Sequence, residues 1–157
     1  MPYTSYVDVL LILTRGNEVL LARRTNTGYS DGLWNLPSGK LESGEDLEAG
    51  MIREAAEEIG IGLRRKDIRM AATVHYLPPD GQARVGFFFH ADRWSGEPFN
   101  AEPDKCSDLR WFGFDEIPPD TVPYTNAGLD LFRRGEHFSV SGWTSTADTA
   151  GDSSEIG

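Results

Sequence analysis

Residues 39–61, GKLESGEDLEAGMIREAAEEIGI, constrain the fold more than any other stretch, because they join a glycine-led turn to a capped helix. Ser43 and Asp46 have the spacing of an N-terminal capping pair, which predicts a helix from about Glu45. Gly60 is the expected end of that helix, since glycine adopts the left-handed conformation of a C-cap without a steric penalty. The stretch therefore predicts one helix with defined ends.

The predicted helix separates apolar from acidic side chains. The apolar residues at helical spacing are Leu47, Met51, Ile52, Ala55, Ala56 and Ile59. Glu54, Glu57 and Glu58 stand at i, i+3 and i+4, so their carboxylates share one face and repel each other. Arg53 is the basic residue available to offset the acidic groups of the helix, which are Glu45, Asp46, Glu48, Glu54, Glu57 and Glu58. Some further neutralising partner is therefore expected.

Two interpretations of this acidic face remain open on spacing alone. A charge run on a helix is usually a solvated surface. However, the helix has no lysine that would form i,i+4 pairs with the glutamates, as solvated acidic helices commonly do. Hard cations such as Mg²⁺ and Mn²⁺ prefer oxygen ligands of this kind and complete their shells with water and substrate phosphates.

The order of residues in the same stretch matches a known motif. Its fixed residues are Gly39, Glu45, Arg53, Glu54, Glu57, Glu58 and Gly60, followed by Ile61. At these positions the chain resembles the Nudix box of the Nudix hydrolase superfamily. Ala55 is a departure, because the motif usually has a larger aliphatic residue there; this difference concerns helix packing rather than chemistry.

The resemblance implies an α/β fold, specifically an α/β/α sandwich with a mixed β-sheet. It also implies hydrolysis of a phosphoanhydride bond with Mg²⁺ as cofactor and Mn²⁺ as a possible substitute. The residues at metal-ligand positions are Glu54, Glu57, Glu58 and the carbonyl of Gly39 or Lys40. The residues with implied catalytic roles are Glu54, Glu57 and Arg53, the arginine as a partner that orients Glu45 or Glu54. The general base is either Glu54 or an acidic residue of a loop.

Two further local resemblances are Leu36-Pro37 before the box, and residues 102–106 with 109–112, EPDKC and LRWF. The second of these is similar to the segment of Nudix members that act on nucleoside triphosphates, including oxidised purine nucleotides. The similarity implies Glu102 as a further metal ligand, with Glu97 and Asp104 as alternatives because the register of a loop cannot be read from sequence. The expected reaction converts a nucleoside triphosphate, normal or oxidised, to the monophosphate and pyrophosphate.

Alternatives to that reaction stay open at this stage. One is a hydrolase of ADP-ribose, a dinucleoside polyphosphate or another nucleotide conjugate. Another is an inactive binding or regulatory module with a Nudix fold. The three mutually repelling glutamates of the box favour an enzyme, because a module without turnover has no need of them.

Substrate-binding candidates lie before the box. Arg23 and Arg24 close a predicted strand and could contact a phosphate, or could simply be a solvated strand end. Tyr29 and Trp34 could stack on a nucleobase, although Trp34 is also typical of a core aromatic residue. The isolated histidines are interpreted as structural or surface residues; they are His75, His90 and His137.

Alternating and apolar runs predict the rest of the fold. Residues 6–13 and 18–22 form a predicted hairpin, as do residues 68–77 and 84–91, and residues 109–114 return to the sheet. A final amphipathic helix is expected over residues 124–134, and residues 38–40 are expected to be a turn. The predicted organisation is one Nudix domain over residues 1–138 and a flexible tail over residues 139–157.

Composition limits the partners. The net charge of −10 argues against a nucleic acid polymer, since binding to its backbone depends on basic residues. The single cysteine, Cys106, allows no intramolecular disulfide and is typical of a reducing cytosol. No apolar run approaches membrane-spanning length, so a cytoplasmic protein without a membrane partner is expected. The resemblance adds a homodimer as an expectation.

Overall fold

Eight strands and two helices make up residues 1–143, the part of the chain that the computed structural model describes. The strands are β1 (Tyr6–Arg15), β2 (Glu18–Arg24), β3 (Trp34–Asn35), β4 (Ser38–Lys40), β5 (Arg69–Tyr76), β6 (Arg84–Ala91), β7 (Cys106–Gly113) and β8 (Phe138–Ser141). The helices are α1 (Leu47–Ile59) and α2 (Pro123–Arg134). Neither helix is long and apolar enough to cross a membrane.

Strand β1 is the centre of a mixed sheet. One edge pairs in parallel with β6, from Tyr6 to Leu13. The other edge is shared, because antiparallel β4 pairs near the start of β1 and antiparallel β2 pairs near its end. Beyond β6 the sheet continues with β5 and β8, and β2 also pairs with β3 and β7. The start of β1 therefore faces β4 and the chain leading into α1.

The alternation of side chains along β1 places one helix on each face of the sheet. Leu10 and Ile12 belong to a core cluster that includes Leu129 and Leu131 of α2. Their neighbours in the strand belong to a second cluster with α1; the members from the two elements are Val9, Leu11, Leu13, Met51, Ala55 and Ile59. This arrangement confirms the predicted α/β/α sandwich with a mixed sheet.

Two glycines let α2 approach the sheet closely. A Cβ atom on Gly128 would overlap the ring of Phe88, which is fully buried. A Cβ atom on Gly86 would overlap the hydroxyl end of Tyr124. The absence of these side chains allows Tyr124 to lie across β6 and to reach the start of β1.

Both predicted hairpins are confirmed, with strands β1 and β2 each two residues longer than expected. The prediction of a turn at residues 38–40 is wrong, because these residues form β4. Strand β4 pairs with β1 through Asp8–Lys40 and Leu10–Ser38. The pairing satisfies backbone groups at a part of the β1 edge that β2 does not cover.

The predicted start of α1 is also wrong. Asp46, not Ser43, is the N-cap, and its side chain accepts a hydrogen bond from the amide of Ala49 at 2.9 Å. The helix therefore begins at Leu47. Gly60 ends it with φ of 69°, as predicted.

The predicted boundary after residue 138 falls inside a strand. Residues Phe138–Ser141 form β8, which pairs in parallel with β5. The interpretation of residues 139–141 as part of a flexible tail is therefore wrong, since their backbone groups are bonded to the sheet. Trp143 is also held, since its Nε1 donates to the carbonyl of His75, and residues 144–157 of the predicted tail lie outside the described residues.

Candidate active site

A cavity of about 550 Å³ opens between α1, the start of β1 and the loop after β2. The predicted site residues that line it are Arg23, Arg24, Tyr29, Gly39, Arg53, Glu54, Glu57, Glu58 and Glu102. Trp34 is absent from this lining; it is 6% exposed and packs edge-on against Phe112, with ring centroids 4.9 Å apart. That position argues against the predicted stacking role of Trp34 and supports the alternative of a core aromatic residue.

Four of the five glutamates that line the cavity form what we call the acidic cluster: Glu54, Glu57, Glu58 and Glu102. The fifth, Glu42, lies 3.6 Å from Nη1 of Arg53. Helix α1 presents the first three at different depths. The Glu57 side chain is 51% exposed at the rim, whereas that of Glu54 is 12% exposed. Oε1 of Glu58 accepts a hydrogen bond from the backbone amide of Ser38 at 2.8 Å, which ties α1 to β4.

Arg53 links several of these acids from within the same helix. Its Nε and Nη2 atoms donate to the two carboxylate oxygens of Glu45, at 3.0 and 2.7 Å. Its Nη1 atom donates to Glu54 at 2.9 Å and to Glu57 at 3.2 Å. Hydrogen bonds from Arg53 hold the pKa of Glu45 below its usual value. Arg53 therefore contacts both glutamates that it was predicted to orient, Glu45 and Glu54.

More of the acidic side chains in and before α1 are paired with arginines than the sequence of the helix indicated. Arg65, which lies beyond the helix, forms ion pairs with Asp46 at 3.0 Å and with Glu48 at 2.9 Å. Together Arg53 and Arg65 pair with five of the six acidic residues considered above, namely Glu45, Asp46, Glu48, Glu54 and Glu57. Charge repulsion along the helix is thus weaker support for a bound cation than the spacing implied.

Glu58 is the exception in this group. Burial raises its pKa to about 8, the hydrogen bond from Ser38 opposes this shift, and the nearby carboxylates of Glu54 and Glu102 add to it. Burial likewise raises the pKa of Glu54, against the effect of Arg53. The inner part of the acidic cluster therefore disfavours negative charge unless a cation or a proton accompanies it.

Among the acidic residues considered for the loop before β7, Glu102 is the one that acts on the helix glutamates. Glu102 lies close enough to raise the pKa of both Glu54 and Glu58. Glu97 and Asp104, the two alternatives considered from sequence, are not part of the cavity lining. The structure thus brings Glu102, rather than either alternative, to the helix glutamates.

Gly39 lies directly against the acidic cluster. A Cβ atom at this position would overlap the carboxylate of Glu54, so only glycine leaves that group in place. The close approach puts the backbone of β4 next to carboxylate oxygens. A donor set of carboxylates and backbone carbonyls is the chemistry that suits Mg²⁺ or Mn²⁺.

The side chains do not yet form a ready metal site. Within residues 1–143, no group of three or more histidine, cysteine, aspartate and glutamate side chains is arranged to hold a metal ion. Arg53 engages Glu54 and Glu57, while the amide of Ser38 engages Glu58. Each of these contacts uses one oxygen of its carboxylate, so the second oxygens would have to turn towards a common point to hold one ion.

Arg23 and Arg24 each donate a hydrogen bond to the backbone of the loop that follows β2. Nε of Arg23 donates to the carbonyl of Gly32 at 2.9 Å, and Nε of Arg24 donates to the carbonyl of Tyr29 at 2.8 Å. The guanidinium of Arg24 lies 5.4 Å from the centre of the Tyr29 ring. Both arginines therefore shape the cavity wall through this loop, and contact with a phosphate stays a prediction.

Sequence reasoning missed a group that we call the buried triad: Asp8, Arg84 and Tyr124. The Asp8 carboxylate, 5% exposed, accepts hydrogen bonds from Nε and Nη2 of Arg84 at 2.7 and 2.8 Å, and from the Tyr124 hydroxyl at 2.9 Å. Burial and the Asp8 charge raise the pKa of Tyr124 far above its usual value, so its hydroxyl keeps its proton. A carboxylate inside the apolar run of residues 6–13 was the available signal, because such a group needs a partner.

The three histidines lie outside the cavity, and Cys106 lies at its edge. The three histidines are absent from its lining, and His75, for example, lies between Tyr3 and Trp143. Cys106 is half-buried at the cavity and donates to the carbonyl of Asp108. Burial raises the pKa of its thiol, which is the opposite of an activated nucleophile.

Comparison with known proteins identifies the family. Residues 2–131 match the sequence model of the NUDIX domain. The chain therefore belongs to the Nudix hydrolase family, as its box motif predicted. Among solved structures, a MutT NUDIX hydrolase from Burkholderia pseudomallei superposes with a TM-score of 0.76 at 30% identity, covering 82% of this chain and 98% of that one.

Two curated relatives at about this level of sequence identity have different activities. NAD-capped RNA hydrolase NudC of Pseudomonas aeruginosa is 33% identical over 117 residues, which is 71% of this chain and 37% of that protein. The 8-oxo-dGTP diphosphatase of Escherichia coli is 29% identical over 119 residues, or 74% of this chain and 90% of that protein. This chain thus spans little more than a third of the NudC relative and most of the diphosphatase.

Proposed function

We propose that this chain is a Mg²⁺-dependent nucleotide pyrophosphohydrolase that cleaves a nucleoside triphosphate, normal or oxidised, to the monophosphate and pyrophosphate. The observation that carries the proposal is the acidic cluster in a cavity large enough for a nucleotide. Its donors are oxygen atoms, as Mg²⁺ and Mn²⁺ prefer. Glu54, Glu57, Glu58 and Glu102, with the backbone at Gly39, would hold the ion.

A bound divalent cation would supply charge stabilisation on the phosphates and a lower pKa for water. The protein's own residues set the geometry. Arg53 fixes the carboxylates of Glu54 and Glu57 on one side of α1, and the Ser38 amide fixes Glu58. Glu54 or Glu102 would take the proton of the attacking water. Arg23 and Arg24 hold the loop after β2, part of which lines the cavity.

The choice of a triphosphate rests on two observations. Glu102, in the segment that resembles triphosphate-directed members, lines the cavity, and its charge raises the pKa of Glu54 and of Glu58. The match to the 8-oxo-dGTP diphosphatase also covers 90% of that protein, so the two chains share one domain of similar size. The NudC relative keeps a conjugate hydrolase as the second candidate, although most of that protein lies outside the match.

A panel assay tests the proposal. The purified chain is incubated with Mg²⁺ and, separately, nucleoside triphosphates, 8-oxo-dGTP, ADP-ribose, a dinucleoside polyphosphate and NAD-capped RNA. Products are resolved by anion-exchange chromatography, with EDTA and Mn²⁺ arms in parallel. We expect pyrophosphate from triphosphates, loss of turnover in EDTA and recovery with Mn²⁺.

Other outcomes would overturn this function in distinguishable ways. Turnover confined to ADP-ribose or another conjugate would favour the second candidate. Hydrolysis of the RNA cap would also contradict the expectation that no nucleic acid polymer is a partner. Nucleotide binding with no turnover on any substrate would indicate a binding module.

A further inference from the structure

Arg84 of the buried triad has a fixed orientation and a part of its guanidinium that the protein does not use. Its Nε and Nη2 atoms form a two-point contact with the two oxygens of Asp8, at 2.7 and 2.8 Å. A planar guanidinium that is held along this edge directs Nη1 and the second hydrogen of Nη2 away from Asp8. Within residues 1–143, Nη1 has no hydrogen-bond acceptor.

The Arg84 side chain is 15% exposed and lines the same cavity as the acidic cluster. Its guanidinium carbon lies 4.8 Å from the ring centre of Tyr6 and 5.9 Å from that of Tyr29. Burial lowers the pKa of Arg24, and both Glu58 and Arg84 are close enough to affect it. The glutamates of α1 and the residues of the buried triad, from β1, β6 and α2, therefore reach this one cavity from different elements of the fold.

Around Arg84 the cavity wall offers hydrogen-bond donors and apolar surface, but few free hydrogen-bond acceptors. Asp8 already receives three hydrogen bonds, from Arg84 and Tyr124. Oδ1 of Asn35 accepts from the amide of Leu36 and from the hydroxyl of Thr125, while its Nδ2 donates one hydrogen to Ser38 at 3.3 Å. Apolar lining completes the wall; it comes from Leu10, Leu36 and Val122.

We propose that the free end of Arg84 reads the edge of a nucleobase that carries two adjacent acceptors, and that Asp8 and Tyr124 are positioning residues for it. The base that fits is unmodified guanine, which presents O6 and N7 side by side to two parallel donors. This inference rests on the proposed function, since it assigns the base end of the same nucleotide site.

The same geometry discriminates against other purines. Adenine presents an amino group beside N7, which would place a donor against the Arg84 donors. In 8-oxoguanine N7 carries a hydrogen, so O6 remains as an acceptor and N7 does not. The arrangement therefore predicts that an unmodified guanine nucleotide is preferred over both an adenine nucleotide and its own 8-oxo derivative.

Base analogues test the inference on the unmodified protein. We would measure kcat/KM with Mg²⁺ for GTP, ITP, ATP, 8-oxo-GTP and 7-deaza-GTP, and the dissociation constants of GMP and AMP by calorimetry without metal. GTP and ITP, which share O6 and N7, should exceed ATP by about 10–100-fold. Loss of N7 in 7-deaza-GTP should lower kcat/KM by about tenfold. GMP should bind more tightly than AMP.

A variant pair separates recognition from folding. Arg84→Lys keeps a positive charge near Asp8 but lacks the planar fork, so the GTP-to-ATP ratio should fall towards one. Arg110→Lys, on the exposed outer side of β7 and outside the cavity, should keep the wild-type ratio. Melting temperatures show whether each variant is folded, and an Arg84→Lys chain that fails to fold leaves the analogue series to decide.

The outcomes distinguish this inference from the proposed function. Absence of triphosphate turnover would contradict the proposed function, while GMP and AMP binding would still test base recognition. Turnover with equal kcat/KM for GTP and ATP, unchanged activity on 7-deaza-GTP, or preference for 8-oxo-GTP would overturn the inference and leave the function intact.

Discussion

The acidic cluster and the buried triad both combine carboxylate with guanidinium, but the triad has one of each, whereas the cluster has four carboxylates beside one guanidinium. In the triad, one carboxylate, Asp8, receives three hydrogen bonds from Arg84 and Tyr124. In the acidic cluster, four carboxylates line the wall, and Arg53 contacts two of them. The triad therefore has spare donors, whereas the cluster has spare acceptors and excess negative charge.

This difference decides what each region can bind. A carboxylate that already receives three hydrogen bonds acts as a fixed support, and the spare donors around it suit a neutral group with lone pairs. A carboxylate that is buried with others must take up a proton or a cation, which is why the pKa of Glu58 rises to about 8. On the proposals made above, one cavity would bind a cation and phosphates at the acidic cluster and a base at the buried triad.

The largest expected effect is on the acidic cluster. Glu57→Gln removes one charge from the proposed metal site and should lower kcat by about 10²–10³-fold, with no loss of stability because this side chain is 51% exposed. Pyrophosphate release under saturating Mg²⁺ measures it. Glu48→Gln, on the same helix but paired with Arg65 outside the cavity, is the matched control. Near-normal turnover of Glu57→Gln would remove the metal assignment.

Gly39→Ala tests whether the close approach of β4 to Glu54 matters. The added Cβ would overlap the Glu54 carboxylate, which can swing aside because it ends a flexible side chain. We expect a nearly unchanged melting temperature and about a 10²-fold lower kcat, since misplacement of a catalytic group by about 1 Å can cost that much. Gly62→Ala, where the new Cβ makes an ordinary 3.5 Å contact with Ser95, should be active. Equal activity of both variants would contradict this role.

The pKa of Glu58 predicts how stability changes with pH in metal-free protein. The folded value of about 8 lies above the usual value of 4.5, so between these pH values the folded chain holds more protons than the unfolded chain. Stability from this group is present below pH 4.5 and is lost as pH rises towards 8. Glu58→Gln should therefore raise the melting temperature at pH 8 by roughly 10 °C and by only about 2 °C at pH 5. A pH-independent difference would contradict the assignment.

The smallest effect is expected in the triad. Tyr124→Phe removes one of the three hydrogen bonds to Asp8 and leaves the contact with Arg84, so unfolding free energy should fall by about 1–2 kcal/mol. Urea denaturation measures the change. Tyr3→Phe removes a hydroxyl from an exposed contact with His75 and should be nearly neutral. A larger loss of unfolding free energy for Tyr3→Phe than for Tyr124→Phe would contradict this prediction.

The box was predictable because its interactions are local. Gly60 ends α1 as expected, and the positions of Glu54, Glu57 and Glu58 follow from helical spacing, although the N-cap is Asp46 rather than Ser43. Strand β4 was not predictable, since residues 38–40 contain turn-forming types and become a strand only by pairing with β1. Strand β8 is likewise created by pairing with β5, from a segment whose composition resembles a loop.

The sequence by itself determined the family, the layered fold and most residues of the acidic cluster, because a motif and a helical period are properties of neighbouring residues. Tertiary structure decided which loop acid joins that cluster, how Arg65 neutralises α1, and that Asp8, Arg84 and Tyr124 meet. Asp8 and Tyr124 are separated by 116 positions, and no local pattern encodes a contact of that range. Their hydrogen bonds exist because sheet pairing and the close packing of α2 bring three distant side chains into one buried volume.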